Sequence, residues 1–280
     1  MSLAEGLQKA LEQSGLDAIA GQLINLSKES AAMKCSAVSD QTIPIASSKL
    51  GGSPDLPCDL EWPEWKTGNL SFVTQLNLAE VPRNGLLDLL PASGLLSFFY
   101  DREQSAWGFD PAHKDGFRLW YFPETSGLIR KSAPTDSTFS CARLTYEPFL
   151  SLPDPGSSPV SDLVLDLEND DTYRDFWEKY ASTGPRHQLL GWPRIIQSEM
   201  ELECQLASNG LYLGDTSGYR DARRKELEAG ASDWMLLFQI DTDESTKMMW
   251  GDSGMLYVWI RYPDLKLRKF DKAWTILQCY

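Results

Sequence analysis

The sequence predicts an α+β fold: two mainly antiparallel β-sheet halves, one a divergent copy of the other, with N-terminal and peripheral helices. Three observations predict it. Apolar segments alternate at period two around Leu70–Leu78 and Trp234–Ile240, with the aromatic and β-branched content of half-buried strands. Leu70, Phe72, Leu76 and Leu78 fall on one face with Gln75 and Asn77 opposite; Trp234, Leu236, Phe238 and Ile240 fall on one face with Gln239 opposite. Landmarks recur in order: Gly52-Ser53-Pro54, a strand carrying Gln75 and Gly94-Leu95 opening an aromatic strand, then Gly191-Trp192-Pro193, a strand carrying Gln239 and Gly254-Met255. Their spacings differ, which speaks for an old duplication and against a short-period solenoid.

Residues 3–30 carry two apolar stripes broken near Ser14-Gly15, so two short helices are expected, the second ending near Lys28. Residues 31–46 turn extended. The stretch SSKLGGSPDLPCDLEWPEW that follows is a structured loop, because glycine permits unusual φ while proline fixes it. It lacks the phosphate-loop spacing, and its prolines remove amide donors. Trp62 and Trp65 read as apolar plugs that order it. Further strands are expected at Phe117–Phe122 and Cys141–Leu150, with Pro148 marking an edge or a strand end. SLPDPGSSPV at 151–160 reads as a linker. Asn169-Asp170-Asp171 offer caps for a helix over Tyr173–Tyr180, ended by Gly184-Pro185, whose aromatic stripe favours core over a binding surface. A helix over Arg220–Ala229 stops at Gly230, and its mixed charges mark a solvated face. The last strand is Trp274–Leu277. The resulting division is 1–35 helical, 36–150 a first β-rich half, 151–186 linker and helix, and 187–280 a second β-rich half.

Composition removes several function classes. Forty acidic against 26 basic residues give a net charge of −14, which repels nucleic acid and anionic membranes and favours a basic protein partner. No apolar run approaches a membrane span. Five scattered cysteines without a CxxC point to reduced thiols in a cytoplasm, and away from a disulfide scaffold or a cysteine zinc site.

Catalytic motifs are weak. GDSG at 251–254 has the form of a serine-protease nucleophile motif, but the only histidines, His113 and His187, lie in the wrong contexts; a glycine-rich tight turn is the better reading. DTDESTKMMWGD at 241–252 mimics a calcium loop, yet Thr246 replaces its glycine and Asp252 its long bidentate carboxylate, so a solvated acidic hairpin turn is preferred. His187 belongs to the loop before Gly191. No catalytic residue, metal or cofactor is expected.

SKLGGSPDLPCDLEWP (48–63), LSFVTQLNL (70–78), GLLSFFYD (94–101), HQLLGWPRIIQ (187–197), LLFQID (236–241), WGDSGMLYVWI (250–260) and FDKAWTILQC (270–279) together resemble the YwqG-like family, bacterial proteins of unknown function. The resemblance implies one α+β unit over 1–280, cytoplasmic and bacterial, with no catalytic residue to carry over. It leaves residues 102–186 undetermined.

Two functions compete. The first is a non-enzymatic binding or interaction protein, in its sharp form an acidic immunity-type protein that neutralises a basic partner. The alternative is an enzyme or small-ligand binder with a pocket between the halves, where Gln75 and Gln239 present amides and Trp62, Trp192, Trp250 and Asp252 form walls. Against the pocket stands a purely structural use of the glutamines, bonded to the Gly-Pro loops.

Overall fold

The structure, a computed structural model, describes residues 1–280 apart from 67, 135–138, 164–166 and 181–184, and the side chains of 167–169. Helix α1 (Leu3–Gln13) starts at a capping box: Glu5 N–H donates to Ser2 Oγ (3.2 Å) and Ser2 N–H to Glu5 Oε2 (2.7 Å). Helix α2 (Ala20–Leu26) stops short of Lys28, where the first strand begins. Leu7, Leu11 and Leu23 of this pair pack on Tyr173, Phe176 and Trp177 of α3 (Leu167–Tyr180), so the aromatic stripe is core. Asp170 and Asp171, expected as caps, lie inside this helix and pair with Arg174 (3.0 and 3.3 Å), because the helix starts earlier, at Leu167; the Asn169 side chain and the stop at Gly184 lie outside the described residues.

The main sheet is built from β1 (Lys28–Ala37), β2 (Lys49–Leu50), β3 (Ser71–Asn77), β4 (Leu95–Tyr100), β5 (Phe117–Phe122), β6 (Ala142–Ser151), β7 (Gln188–Leu189), β8 (Trp234–Asp241), β9 (Met255–Arg261) and β10 (Trp274–Gln278). Their order across the antiparallel sheet is β10-β9-β8-β7-β1-β6-β2-β3-β4-β5. The sheet curls until it is nearly closed into a barrel. Its outermost strands approach each other, with Phe117 edge-on to Trp274 at 5.5 Å. Inside, Phe98 of β4 meets Phe238 of β8 edge-on at 5.4 Å, which joins the two ends of the sheet in one core.

Strands β1 and β6 form the centre, paired from Lys28↔Ser151 to Ala37↔Ala142. On its other side β1 takes β7, while β6 takes β2. The strand order is therefore unchanged when β1–β5 and β6–β10 are exchanged. The register keeps the same pattern. A bulge in β3 sets Phe72↔Phe99 and Thr74↔Phe98; one in β8 sets Leu236↔Trp259 and Phe238↔Val258. In both strands the glutamine follows the bulge directly, opposite Ser97 for Gln75 and opposite Tyr257 for Gln239.

The bulges correct the expected faces. One extra residue reverses the alternation, so Phe72 packs with Phe99 and Trp62 on the outside of the sheet while Leu76 enters the main core. Strands β4 and β9 are covered on both faces, from Leu95 to Tyr100 and from Met255 to Ile260.

Other expectations also change. Strands β2 and β7 are two residues long, too short for any periodicity. Pro148 is exposed and pairs with Ala31; β2 meets β6 only at Ala142 and Arg143, so the side of Pro148 without an N–H faces no strand. The 151–160 stretch is no loose linker at its start: Leu152 and Pro153 carbonyls accept bonds from Trp177 Nε1 (3.2 Å) and Tyr173 OH (2.7 Å). The helix expected over Arg220–Ala229 is broken into Gly218–Arg220, Arg224–Leu227 and Glu228–Asp233, because extended Asp221 turns its carboxylate onto Arg223 N–H (2.8 Å). A helix that the periodicity missed, α4, spans Glu201–Ser208. No helix among the described residues is long and apolar enough to cross a membrane.

Candidate functional site

The two glutamines are wholly buried and anchor the loops that follow β2 and β7. Gln75 Oε1 accepts from Asp55 N–H (2.9 Å), and its Nε2 donates to Ser47 O (2.8 Å) and Asp55 Oδ2 (2.7 Å). Gln239 Oε1 accepts from Arg194 N–H (3.0 Å), and its Nε2 donates to Arg186 O (2.8 Å). The accepting and donating residues are eight apart in both loops, Ser47 and Asp55 against Arg186 and Arg194. Gly51 N–H donates to Val73 O (2.8 Å) as Leu190 N–H does to Leu237 O (3.0 Å). Both loops turn through the left-handed region, at φ 58° and 71° for Gly51 and Gly52 and at 55° and 83° for Leu190 and Gly191. At Gly191 a Cβ would stand 1.7 Å from Ser30 Oγ, so only glycine fits.

The amides thus serve the backbone first. Gln75 has both N–H groups engaged. Trp62 packs edge-on against Phe99 at 5.4 Å and donates to Leu70 O (2.8 Å). Trp250 is buried between Tyr100 and Phe139 and donates to Asp241 O (3.2 Å). Asp252 lies exposed on the 251–254 turn. Of the six residues expected to line one pocket, Gln239 and Trp192 share a cavity. It is small, about 30 Å³, and also bounded by Trp177, Arg186 and Arg194. That is room for about one water molecule. On the far side of the arginines lies an open depression of about 330 Å³, lined by Arg186, Arg194, Ile196, Asp241, Thr242 and Ser253, among others.

Charge separates the two loops. In the first half Asp55 is wholly buried and paired with Arg130, Nε to Oδ1 at 3.0 Å and Nη2 to Oδ2 at 3.3 Å, and it also accepts from Ala46 N–H (2.9 Å). Asp40 beside it accepts from Lys49 Nζ (2.8 Å) and Ser53 N–H (3.0 Å). Burial pushes the Asp40 carboxyl up, but Lys49, Ser53 and Arg130 together hold it below its ordinary value. The network is internally complete. In the second half the place of Asp55 belongs to Arg194. Its guanidinium lies 3.5 Å over the Trp177 ring, and its Nη1 is buried with no hydrogen-bond partner among the described residues. Among the described residues neither Arg186 nor Arg194 has a carboxylate within ion-pair distance. Burial, then the charge of Arg186, pulls Arg194 down to about 10; Tyr280, Asp154 and Glu178 offset part of this from a distance. Next to it Trp192 donates to Leu26 O (2.6 Å), and Lys28 Nζ sits 3.3 Å over its ring.

His187, Asp243 and Cys35 form a second polar cluster, under the hairpin that was expected to be solvated. Asp243 is in fact buried, because β7 brings His187 against it. The donor set does not suit a metal. Asp241 N–H donates to His187 Nδ1 (3.0 Å), so the ring proton is on Nε2, which donates to Asp243 Oδ2 (3.1 Å) and offers no lone pair. The Cys35 thiol is held far above its ordinary value by burial and by Asp243, so it is a poor nucleophile. Ser253 is bonded to neither histidine among the described residues, and His113 Nδ1 accepts from Gly108 N–H (3.1 Å). Sequence reasoning missed the arginine pair, because each arginine alone is an ordinary surface residue type and only the Gln239 anchor brings them together.

None of the curated proteins matches the chain. A family model described as "Domain of unknown function (DUF1963)" matches residues 48–279, which takes in the Gln75 and Gln239 anchors and the arginine depression, and the chain belongs to that family.

Proposed function

We propose that this protein is a non-enzymatic binding protein that takes a small ligand in the depression between Arg186 and Arg194. The observation that carries this reading is an open recess of about 330 Å³ lined by Arg186 and Arg194, two neighbouring cations with no carboxylate within ion-pair distance among the described residues. The charge of Arg186 bears on Arg194, and an anionic ligand between the two would relieve that repulsion. Native mass spectrometry of gently purified protein tests it: a bound species that is released on denaturation, and absent from Arg194→Gln protein, is the expected result.

The reading includes a YwqG-like protein of the bacterial cytoplasm, built as one unit from two copies of a module. The matched bulges, glutamine anchors and left-handed turns support the duplication. The exchange of β1 and β6 between sheet ends supports a single unit, since neither set of five strands forms its share of the sheet alone. Five unpaired cysteines support a reducing compartment.

A second reading, neutralisation of a basic protein, is favoured by the net charge of −14. Capture at low but not high salt is its expected signature, and no basic partner at either salt would exclude it. The same charge disfavours nucleic acid and anionic membranes as partners.

A further inference from the structure

We propose that the seam where the barrel fails to close is a docking site for an extended acidic peptide segment, which adds to the free edge of β5 as one more antiparallel strand. The site shares no lining residue with the arginine depression, so the two readings stand or fall separately.

The edge is the first observation. β5 and β10 are the two ends of the sheet, and no ladder joins them. Asp101 N–H donates to Gly116 O (2.8 Å), which fixes the phase of the β4–β5 ladder. Arg118, Trp120 and Phe122 therefore turn their backbone groups toward β4, and Phe117, Leu119 and Tyr121 turn theirs into the seam. No main chain among the described residues bonds them there. Phe117 and Leu119 are each only 5 % exposed, and buried backbone donors and acceptors are almost always paired. The opposite lip is treated differently. Leu277 N–H of β10 donates to Trp107 O (3.2 Å), and Gly108 lies so close that a Cβ there would stand 2.2 Å from Thr275 O. The chain covers one edge with its own residues 107–108 and leaves the other open. A cleft of about 260 Å³ opens beside the free edge, lined by Phe117, Leu119, Phe270 and Trp274 among others.

Charge is the second observation. In a chain of net charge −14, the walls of this cleft carry Lys114, Arg118 and Lys272 against one carboxylate, Asp271, among the described residues. The pairs that these cations make are long and exposed, Arg118 to Asp115 at 3.7 Å and Lys272 to Asp271 at 4.0 Å, and such pairs contribute little. The turn that leads to Lys272 adds exposed Lys266, Arg268 and Lys269. Cations along an edge repel most strands that could pair with it. An acidic strand is the one that such an edge admits.

The pleat sets the pattern of the segment. Phe117 and Leu119 belong to the main core, whereas Trp120 packs outside the sheet with Phe99, and Arg118 shares the Trp120 face. Residues of an added antiparallel strand alternate in the same way. Those opposite Phe117 and Leu119 point inward, are apolar, and exchange main-chain bonds with β5. Those between them carry carboxylates outward beside Arg118, with Lys114 and Lys272 at the rim.

The test is titration of the isotope-labelled full chain with the capped peptide Glu-Val-Glu-Val-Glu and its counterpart Lys-Val-Lys-Val-Lys at matched ionic strength. The amides of Phe117 and Leu119 and the indole N–H of Trp120 are followed by NMR. The expected result is saturable shifts at these groups with the glutamate peptide and none with the lysine peptide. N-methylation of the valines removes the donors that face β5 and should weaken binding by roughly tenfold, whereas N-methylation of the glutamates should leave it unchanged. Lys114→Glu combined with Lys272→Glu alters exposed positions only, so the fold is kept, and should weaken binding by roughly three- to tenfold. Equal binding of the lysine peptide, or equal loss whichever residue is methylated, would overturn the proposal. So would an acidic peptide that leaves the Leu119 amide unmoved, since the edge is then merely hydrated.

Discussion

Asp55 and Arg194 hold the same register place with opposite charge: the backbone N–H of each donates to the Oε1 of a buried glutamine, Gln75 at 2.9 Å and Gln239 at 3.0 Å. One loop has closed on an internal ion pair; the other carries a cation with no carboxylate within ion-pair distance among the described residues, next to an open depression. The predictions below follow from that difference and from the polar groups the fold has buried.

Truncating the anchors should destabilise unequally. Gln239→Ala leaves Arg194 N–H and Arg186 O without a partner, at a cost of about 1–3 kcal/mol. Gln75→Ala also strips a donor from buried Asp55 and should cost more. Urea unfolding of the two variants measures the order.

Breaking the first-half ion pair should be more damaging still. Arg130→Gln leaves Asp55 charged and wholly buried, and a loss of about 3–5 kcal/mol is expected. Arg194→Gln, which breaks no ion pair, should be nearly neutral in the same denaturation experiment.

Acid should act through Asp243. The bond from His187, helped by Ser245 and opposed by burial, holds its carboxyl well below the ordinary 3.8. The unfolded chain therefore takes up that proton first. The stabilisation is complete above about pH 4 and fades as pH drops toward the folded value. Asp243→Asn should be less stable than the parent at pH 7, with the difference shrinking below pH 4 in equilibrium melts.

Lys28 has the opposite sense for a base. Burial, against the pull of Glu201, lowers its ammonium from 10.5 to about 8. Between those values the unfolded state holds more protons, so stability rises with pH and the penalty is fullest below about 8. Lys28→Met should gain on the parent at pH 7, and the gap should narrow toward pH 10.5. Taking the difference between the two proteins cancels the titration of buried tyrosines and thiols over that range.

Thiol reactivity should be dominated by Cys58, the exposed cysteine. Burial raises Cys204 and Cys35, and Asp40 adds to burial in raising Cys141 to about 12. Cys58→Ser should remove the fast phase of a thiol-exchange assay at pH 8 and leave the slow phases.

Much of the fold could be read from residues. FRLWYF at 117–122 is β5 to the residue, and the strand carrying Gln239 runs on to Asp241, one residue beyond the expected Ile240. The aromatic stripe from Tyr173 was legible as core because its spacing matches one helix face. The faces of Phe72 and Leu76 were not legible, since a bulge leaves no mark in an alternating pattern. Of the candidate site itself little was legible: Gln239 and Trp192, which stood out, line the small cavity beside it, whereas Arg186 and Arg194, which line the depression, did not stand out.

The amino-acid order alone determined the long strands and the aromatic helix, the recurrence of Gly-Pro loop, glutamine strand and aromatic strand, and the strongly acidic balance, because period, turn chemistry and charge are local properties. Tertiary structure alone decided that β1 and β6 meet at the centre, that Asp243 lies under His187, and that one loop pairs its charge while the other, among the described residues, leaves Arg194 without a carboxylate. Those outcomes depend on long-range pairing and burial, which place side chains from distant segments within hydrogen-bond reach or keep them apart.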